Sequence, residues 1–336
     1  MKRPSIYTIA REAGVSTATV SKIVNNHGNI SRETSARVLE IIKKHNYVPQ
    51  QRKQTESAVG VITFHNNRRP LASPFTGRLL NGVCLQCFEE GKDMILIDGD
   101  RLATFSPEEL YCYYASNSLA GLLICNKAAD DPFCLRLRKS GIPFILLANA
   151  APGGEVNYVA TRNYEAVSEL IDYMICLGHR RIAYVGLLNQ LLDSHRERLR
   201  AFRDMHRKHG IDLRSEFVLD LPDAENATVK NALLRLLARP EPPTALFVGT
   251  DECVKLYPLL AEMKIEVPET LSVAGFRMEC DEAESGRDYS GIVQPTEQIG
   301  RRGVAALLDL AAGRCDHVFE LLENAVNFGE TVKRTY

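Results

Sequence analysis

From Ala58 onward the chain alternates short apolar runs with amphipathic stretches, and nothing else in it constrains the fold as strongly. AVGVITF reads as a strand, LLNGVCLQCFEEG as a helix and DMILID as a strand. A helix at PEELYCYYASNS, the strand GLLIC, the helix PFCLRLRKSG and the strand PFILLAN follow. The order begins again after about Val159: NYEAVSELIDYMICLG, RIAYVG, ERLRAFRDMHRKHG, FVLDL, ATVKNALLRLLA, TALFVGTD, VKLYPLLAEM and LSVAGF alternate helix with strand. Strands joined through helices run parallel, because only a crossover returns the chain to the same end of a sheet. The reading is therefore a body of two doubly wound parallel α/β units of similar size. Such sheets bind ligands at strand C-termini, which places an expected ligand site in the cleft between the lobes.

Several function classes lose support at once. No G-x-G-x-x-G follows a strand, and neither a Walker A sequence nor a G-x-S-x-G elbow occurs. The alternation alone fits a dehydrogenase or another α/β enzyme equally well. No apolar stretch approaches the roughly 18 residues of a membrane span, and the N-terminus MKRPSIYTIAREAGVS is polar. Neither a signal peptide nor a membrane helix is expected. Nine cysteines, an odd number scattered from Cys84 to Cys315, fit reduced thiols in a cytoplasm better than a disulfide framework.

The net charge of −1 conceals a division. Residues 1–53 carry ten Lys/Arg against Glu12, Glu33 and Glu40, a net of +7, and the remainder carries −8. A basic head on an acidic body suggests a polyanion-binding module attached to something with another task. The head also has core periodicity. Ile6, Ile9, Ala10 and Ala13 recur at helical spacing up to Gly14, and Ser16 can cap a second helix whose Val20, Ile23 and Val24 form one apolar face. Ser31 begins a third helix with Val38, Leu39, Ile41 and Ile42 inward, closed by Asn46-Tyr47-Val48-Pro49. Helix, tight turn, helix, loop, helix is a helix-turn-helix arrangement. The outward face of the second helix holds Thr17, Ala18, Ser21, Lys22 and Asn25, short groups around one long cation. Lys22 can reach guanine O6/N7 and Ala18 a thymine methyl, while Ser16, Thr19, Asn25, Ser31 and Tyr47 can bond phosphates. A plain three-helix bundle with a polar face remains the alternative on pattern alone.

The run IYTIAREAGVSTATVSKIVNNHGNISRETSARVLEIIKKHNYVP resembles the headpiece of the lactose-repressor (LacI/GalR-type) regulators, through the AGVS turn, the ATVSKIVN helix, the Ile-Ser start of helix three and the closing Asn-Tyr-Val-Pro. The resemblance implies base reading by Thr17, Ala18 and Lys22, with Tyr7 near the DNA backbone and base edges. Lys22 stands where arginine is usual, so a bidentate fork becomes a point charge. The likeness continues through Ala72-Ser73-Pro74-Phe75, Leu177-Gly178-His179-Arg180-Arg181-Ile182-Ala183, Arg198-Leu199-Arg200-Ala201-Phe202, Ser272-Val273-Ala274-Gly275-Phe276 and Val293-Gln294-Pro295, in family order. It implies an α + α/β chain, a helix-turn-helix headpiece followed by a two-lobed, periplasmic-binding-protein-like body. The expected domains are the headpiece at 1–49, a short hinge at 50–57 and an effector-binding, dimerising body at 58–336. The N-lobe is expected at about 58–157 plus 290–315, and the C-lobe at about 158–289 plus 316–336. The implied function is a cytoplasmic repressor that binds a palindromic double-stranded operator as a homodimer and responds to a small effector, without cofactor, catalytic residue or metal. The alternative is a small-molecule binding protein or an enzyme with a degenerate headpiece.

Two stretches depart from the family pattern. The link QQRKQTESAV is short and lacks the leucines with which a hinge helix could wedge a base step. The effector positions implied by the resemblance are Phe75, Ala148, Asn149, Arg198, Thr250, Asp251 and Arg277. Sugar-binding relatives commonly carry carboxylates at two of them, where this chain has Ala148 and Arg277. Losing both while keeping two arginines points to an acidic or phosphorylated sugar held by a guanidinium fork, unless Arg277 pairs with Glu279, Asp281 or Glu282 nearby. Elsewhere, Cys84-Leu85-Gln86-Cys87 reads as buried core thiols, His206 and His209 as a solvated basic helix face, and His179 as a packing or capping residue.

Overall fold

The computed structural model describes residues 5–24, 30–45, 57–64, 73–151, 153, 156–188, 192–221, 226–251, 253–277 and 286–335. The head contains α1 (Ile6–Ala13), α2 (Thr17–Val24) and α3 (Arg32–Lys44). Ser5 and Thr8 form a reciprocal capping box at the start of α1, and Gly14 ends the helix at φ +66°, a conformation that costs glycine nothing. Ile9, Ala10, Ala13, Val20, Val24, Val38, Leu39 and Ile42 make one buried cluster. The helical period therefore placed the headpiece core correctly. The hinge positions 50–56 lie outside the described residues.

The body strands are β1 (Ala58–Thr63), β2 (Asp93–Asp98), β3 (Leu119–Cys125), β4 (Phe144–Leu147), β5 (Tyr158–Thr161), β6 (Ile182–Gly186), β7 (Val218–Asp220), β8 (Ala245–Val248), β9 (Ser272–Arg277), β10 (Gly291–Val293), β11 (Phe319–Leu322) and β12 (Ala325–Asn327). They form two six-stranded sheets, ordered β11-β5-β4-β3-β1-β2 and β12-β10-β9-β8-β6-β7. The helices are α4 (Pro74–Glu89), α5 (Gly99–Leu102), α6 (Pro107–Ser116), α7 (Pro132–Ser140), α8 (Asn163–Cys176), α9 (Asp193–Lys208), α10 (Asn226–Leu237), α11 (Leu256–Glu262) and α12 (Thr296–Ala311). Among the described residues, no helix is long and apolar enough to cross a membrane.

The chain divides into two units, 1–147 with 151–159 and 297–319, and 148–150 with 160–296 and 320–336. The late crossings thus fall at 296/297 and 319/320, where the sequence reading put them near 290 and 315. In both sheets the central strands are parallel and wholly buried, as in β1, β3, β8 and β9, which is why they read as unbroken apolar runs. The edge strand β2 is only partly covered, and its sequence keeps Asp93 and Asp98. One element escapes the parallel scheme: β12 runs antiparallel to β10. It closes a sheet edge with its residues exposed or half-buried, so its apolar signal is too weak to read as a strand.

Within the first unit, α4 and α12 meet at two glycines. A Cβ on Gly82 would lie 2.0 Å from the Glu297 carbonyl oxygen, and one on Gly300 would lie 2.3 Å from that of Leu79. Around this contact Asn81 donates to Glu297 at 2.9 Å and Arg301 pairs with Glu89 at 2.8 Å. In the second unit the LGH segment clamps the C-terminal tail. Gly178, at φ +100°, lets the Thr335 carbonyl approach, while His179 is fully buried between Thr244 Oγ1 (2.8 Å) and the Lys333 carbonyl (2.9 Å). Burial holds His179 below the usual imidazole range, which keeps it neutral and able to donate one bond and accept the other.

Candidate nucleic-acid interface and effector site

On the headpiece, α2 presents Ala18 and Lys22 to solvent one turn apart, with Thr17, Thr19 and Ser21 half-buried beside them. Tyr7 on α1 is 75% exposed. Ser16 Oγ accepts from the Thr19 amide at 3.0 Å, and Ser31 Oγ accepts from the Thr34 amide at 3.2 Å. Both serines are thus helix caps, and each also has a hydroxyl neighbour, at Thr19 and Thr34 respectively. Asn25 and Tyr47 lie outside the described residues. Sequence reasoning missed Glu12, which joins α1 to the end of α3. Its carboxylate accepts from Lys44 Nζ at 2.7 Å and meets His45 Nε2 at 2.5 Å. The Lys44 bond first, and the His45 bond second, lower the Glu12 pKa from its usual 4.5.

In the second unit the C-terminal ends of the central strands carry a polar array. The strand order reverses between β6 and β8, the place where doubly wound sheets accept ligands. Arg198 on α9 is 2% exposed. Its Nε donates to Asn163 Oδ1 at 3.0 Å and its Nη1 to the Gly249 carbonyl at 2.8 Å, with Asp251 Oδ1 at 3.1 Å. The guanidinium carbon lies 3.5 Å from the centroid of the Phe276 ring. Gln294 donates to Asp251 Oδ1 at 2.8 Å and accepts from Thr161 at 3.2 Å. Asn149 Oδ1 accepts from Ser194 Oγ at 3.0 Å, and Thr250 is half-buried next to Asp251. Arg277, at the end of β9, is 4% exposed. Burial first, and the Arg198 charge second, push the His195 pKa down to about 4, so this ring is neutral at pH 7.

The expected effector positions Asn149, Arg198, Thr250, Asp251 and Arg277 therefore share one unit, together with Ala148, which takes a left-handed φ of +64°. Phe75 belongs to the first unit, half-buried in the first turn of α4. Asn163, Ser194, His195, Thr161 and Gln294 complete the array and were not singled out in the sequence. Gln294 sits in the Val-Gln-Pro stretch and could have been found there. The others have no local signal, since they meet Arg198, Asn149 and Asp251 only through the fold. The geometry also qualifies the guanidinium fork: Arg198 already meets three internal acceptors, and Glu279, Asp281 and Glu282, the acidic neighbours offered for Arg277, lie outside the described residues.

Two minor readings need correction or detail. His206 is not on a solvated face: it is 2% exposed, lies 4.3 Å from the Phe202 ring centroid and meets the Phe202 carbonyl at 2.8 Å. The charged residues around it in RDMHRKHG hid an inward position at the four-residue spacing from Phe202. His209 pairs with Asp172 at 2.5 Å. Cys87 is buried, which pushes its thiol up to about 11, but Cys84 is exposed. No group of three or more His, Cys, Asp or Glu able to hold a metal occurs among the described residues.

Comparison with known proteins agrees with this geometry at both ends of the chain. Residues 5–50 match the family described as bacterial regulatory proteins, lacI family, and residues 171–325 match the periplasmic binding protein-like domain. The chain is 26% identical over 320 residues to the HTH-type transcriptional regulator CelR of Thermobifida fusca, covering 93% of each. It is 27% identical over 314 residues to the ribose operon repressor of Escherichia coli K12, covering 89% of this chain and 91% of that one. A solved CelR–cellobiose complex superposes with a TM-score of 0.69 at 26% identity, over 98% of this chain and all of the other. These relatives are named as regulators and repressors, not as enzymes.

Proposed function

The chain belongs to the LacI family of bacterial transcriptional regulators, and from that premise we propose that it is a cytoplasmic homodimeric repressor, released from or locked onto a palindromic operator by a small hydroxyl-rich effector. The observation that carries DNA reading is the exposure of Ala18 and Lys22 together on α2 within a head of net charge +7. Selection from random duplexes at two salt concentrations tests it. A palindrome whose affinity falls steeply with salt is the expected result. No enriched sequence, with or without candidate sugars, would move the assignment to a small-molecule binding protein.

Dimerisation is supported by an uncovered apolar face on the first unit. Phe88 (84% exposed) and Leu85 (36%) share one side of α4, and Leu96 (43%) lies on the edge strand β2, which α4 touches. A second copy is the natural cover, because a two-fold axis lets one such patch satisfy itself. Phe88→Asp is expected to shift the protein from dimer to monomer in sedimentation at micromolar concentration. A variant that stays dimeric would remove α4 from the interface.

The effector is taken to be a sugar or sugar derivative, in line with the cellobiose bound by CelR, and its acidic substituent meets Arg277. The Arg198–Asp251–Gln294 array with Asn149 and Asn163 suits hydroxyl groups, since it offers both donors and acceptors around a compensated charge. Calorimetric titration of acidic and neutral sugars against Arg277→Asp checks this. Selective loss of the acidic ligand, by about tenfold or more, is expected from removing one charge-assisted bond. An unchanged preference would reject the acidic effector and leave the neutral sugar.

A further inference from the structure

Helix α6 serves two cores. Leu110, Tyr111, Tyr113 and Tyr114 pack towards the sheet of the first unit. Cys112, 8% exposed, is instead buried in the headpiece cluster with Ile9, Val20, Val24, Val38, Leu39 and Ile42. Glu108, Cys112 and Ser116 recur every four residues, so they lie along one face of α6. Ser116 Oγ donates to the carbonyl of Val24, the last residue of α2, at 2.9 Å. Lys43 Nζ, near the end of α3, donates to the Lys139 carbonyl at 3.4 Å. Between these contacts is a cavity of about 1310 Å³ whose walls include Lys22 and Lys43 from the headpiece and Glu108 and Glu109 from α6.

We propose that this face of α6 is a docking surface for the chain's own headpiece, and that the docked state withholds the recognition helix from DNA. In that state Lys22 lines the same cavity as Glu108 and Glu109 of the first turn of α6, where a bound duplex would present its own negative charge. A cavity of this size is on the scale of a small-molecule pocket, not of a double helix, so the headpiece must leave α6 to read an operator. Among the described residues the contact includes one buried cysteine side chain and two hydrogen bonds between long-range partners, interactions that DNA binding can overturn. If nine molecules in ten are docked, the apparent affinity for DNA is about tenfold weaker than the intrinsic one.

The inference rests on the headpiece being the DNA-binding module, but docking itself is read without DNA. Full-length protein is alkylated with N-ethylmaleimide and each cysteine peptide is quantified by mass spectrometry, with exposed Cys176 as the internal reference. In free protein Cys112 is expected to label far more slowly than Cys176. Equal labelling would overturn docking, whatever the protein does with DNA. With saturating selected operator, Cys112 should become reactive; continued protection would mean that the contact survives on DNA and withholds nothing. Cys112→Glu and Ser116→Arg, two separate ways of breaking the same face, are each expected to raise operator affinity about tenfold. Unchanged or weaker binding by both variants, with circular dichroism matching the parent, overturns the withholding role.

Discussion

Lys22→Ala is expected to abolish discrimination between the selected operator and a scrambled duplex while leaving the headpiece folded. Lys22 is exposed on α2 and takes no part in the buried cluster, so its removal opens no cavity. A specific base contact carries about 1–3 kcal/mol of discrimination, on the order of ten- to a hundredfold in Kd per half-site. A dimer loses it twice, so the effect on a palindrome is the square of that range, about a hundredfold to ten-thousandfold, towards the level of non-specific binding. Fluorescence anisotropy with both duplexes at fixed salt checks this. Equal loss on both duplexes would place Lys22 on a phosphate instead of a base. Lys22→Arg makes a sharper companion, since a planar fork matches guanine O6/N7 where an ammonium offers one point charge. It is expected to tighten operator binding if guanine lies opposite.

Arg198→Met is expected to destabilise the second unit by about 3–5 kcal/mol, the usual consequence of breaking a buried ion pair from one side. The thioether fills part of the space over Phe276, but Asp251 loses its cation and Asn163 Oδ1 and the Gly249 carbonyl lose their donor. Arg198→Lys should recover little of this, because one ammonium cannot serve three acceptors set in different directions around a planar fork. Urea unfolding followed by tyrosine fluorescence gives the measurement. The headpiece belongs to the other unit, so operator binding without effector should persist under conditions where the second unit remains folded, while the effector response is lost. Stability within about 1 kcal/mol of the parent would mean that water compensates Asp251 and that Arg198 serves ligand binding alone.

Legibility followed the range of the interactions involved. The headpiece helices, their caps and their core were readable because capping and 3.6-residue periodicity act within a few residues: Ser16 to Thr19, Ser31 to Thr34, Ile9 to Ala13. The central strands were readable because burial on both faces forces unbroken apolar runs. Elements at sheet edges were not. The strand β12 has no such run, and its pairing with β10 joins Asn327 to Gly291 across a whole helix. His206 was misplaced for a related reason: three of its four nearest neighbours in sequence are charged or polar, whereas its inward direction depends on Phe202 one turn earlier.

The site divides along the same line. The amino-acid sequence by itself determined the two module types, the chemistry displayed on α2 and the list of strand-end residues from Asn149 to Arg277, because those follow from local pattern and from likeness to a family. Only the tertiary structure decided how the charges are used. Asp251 lies 53 positions from Arg198 in the chain, yet it compensates that guanidinium at 3.1 Å, which turns an apparent anion fork into a balanced polar array. Cys112, likewise, carries no sign in its own helix of the headpiece it is buried against. Electrostatic compensation and burial depend on distance in space, and the chain brings such partners together only when both sheets and the headpiece have formed.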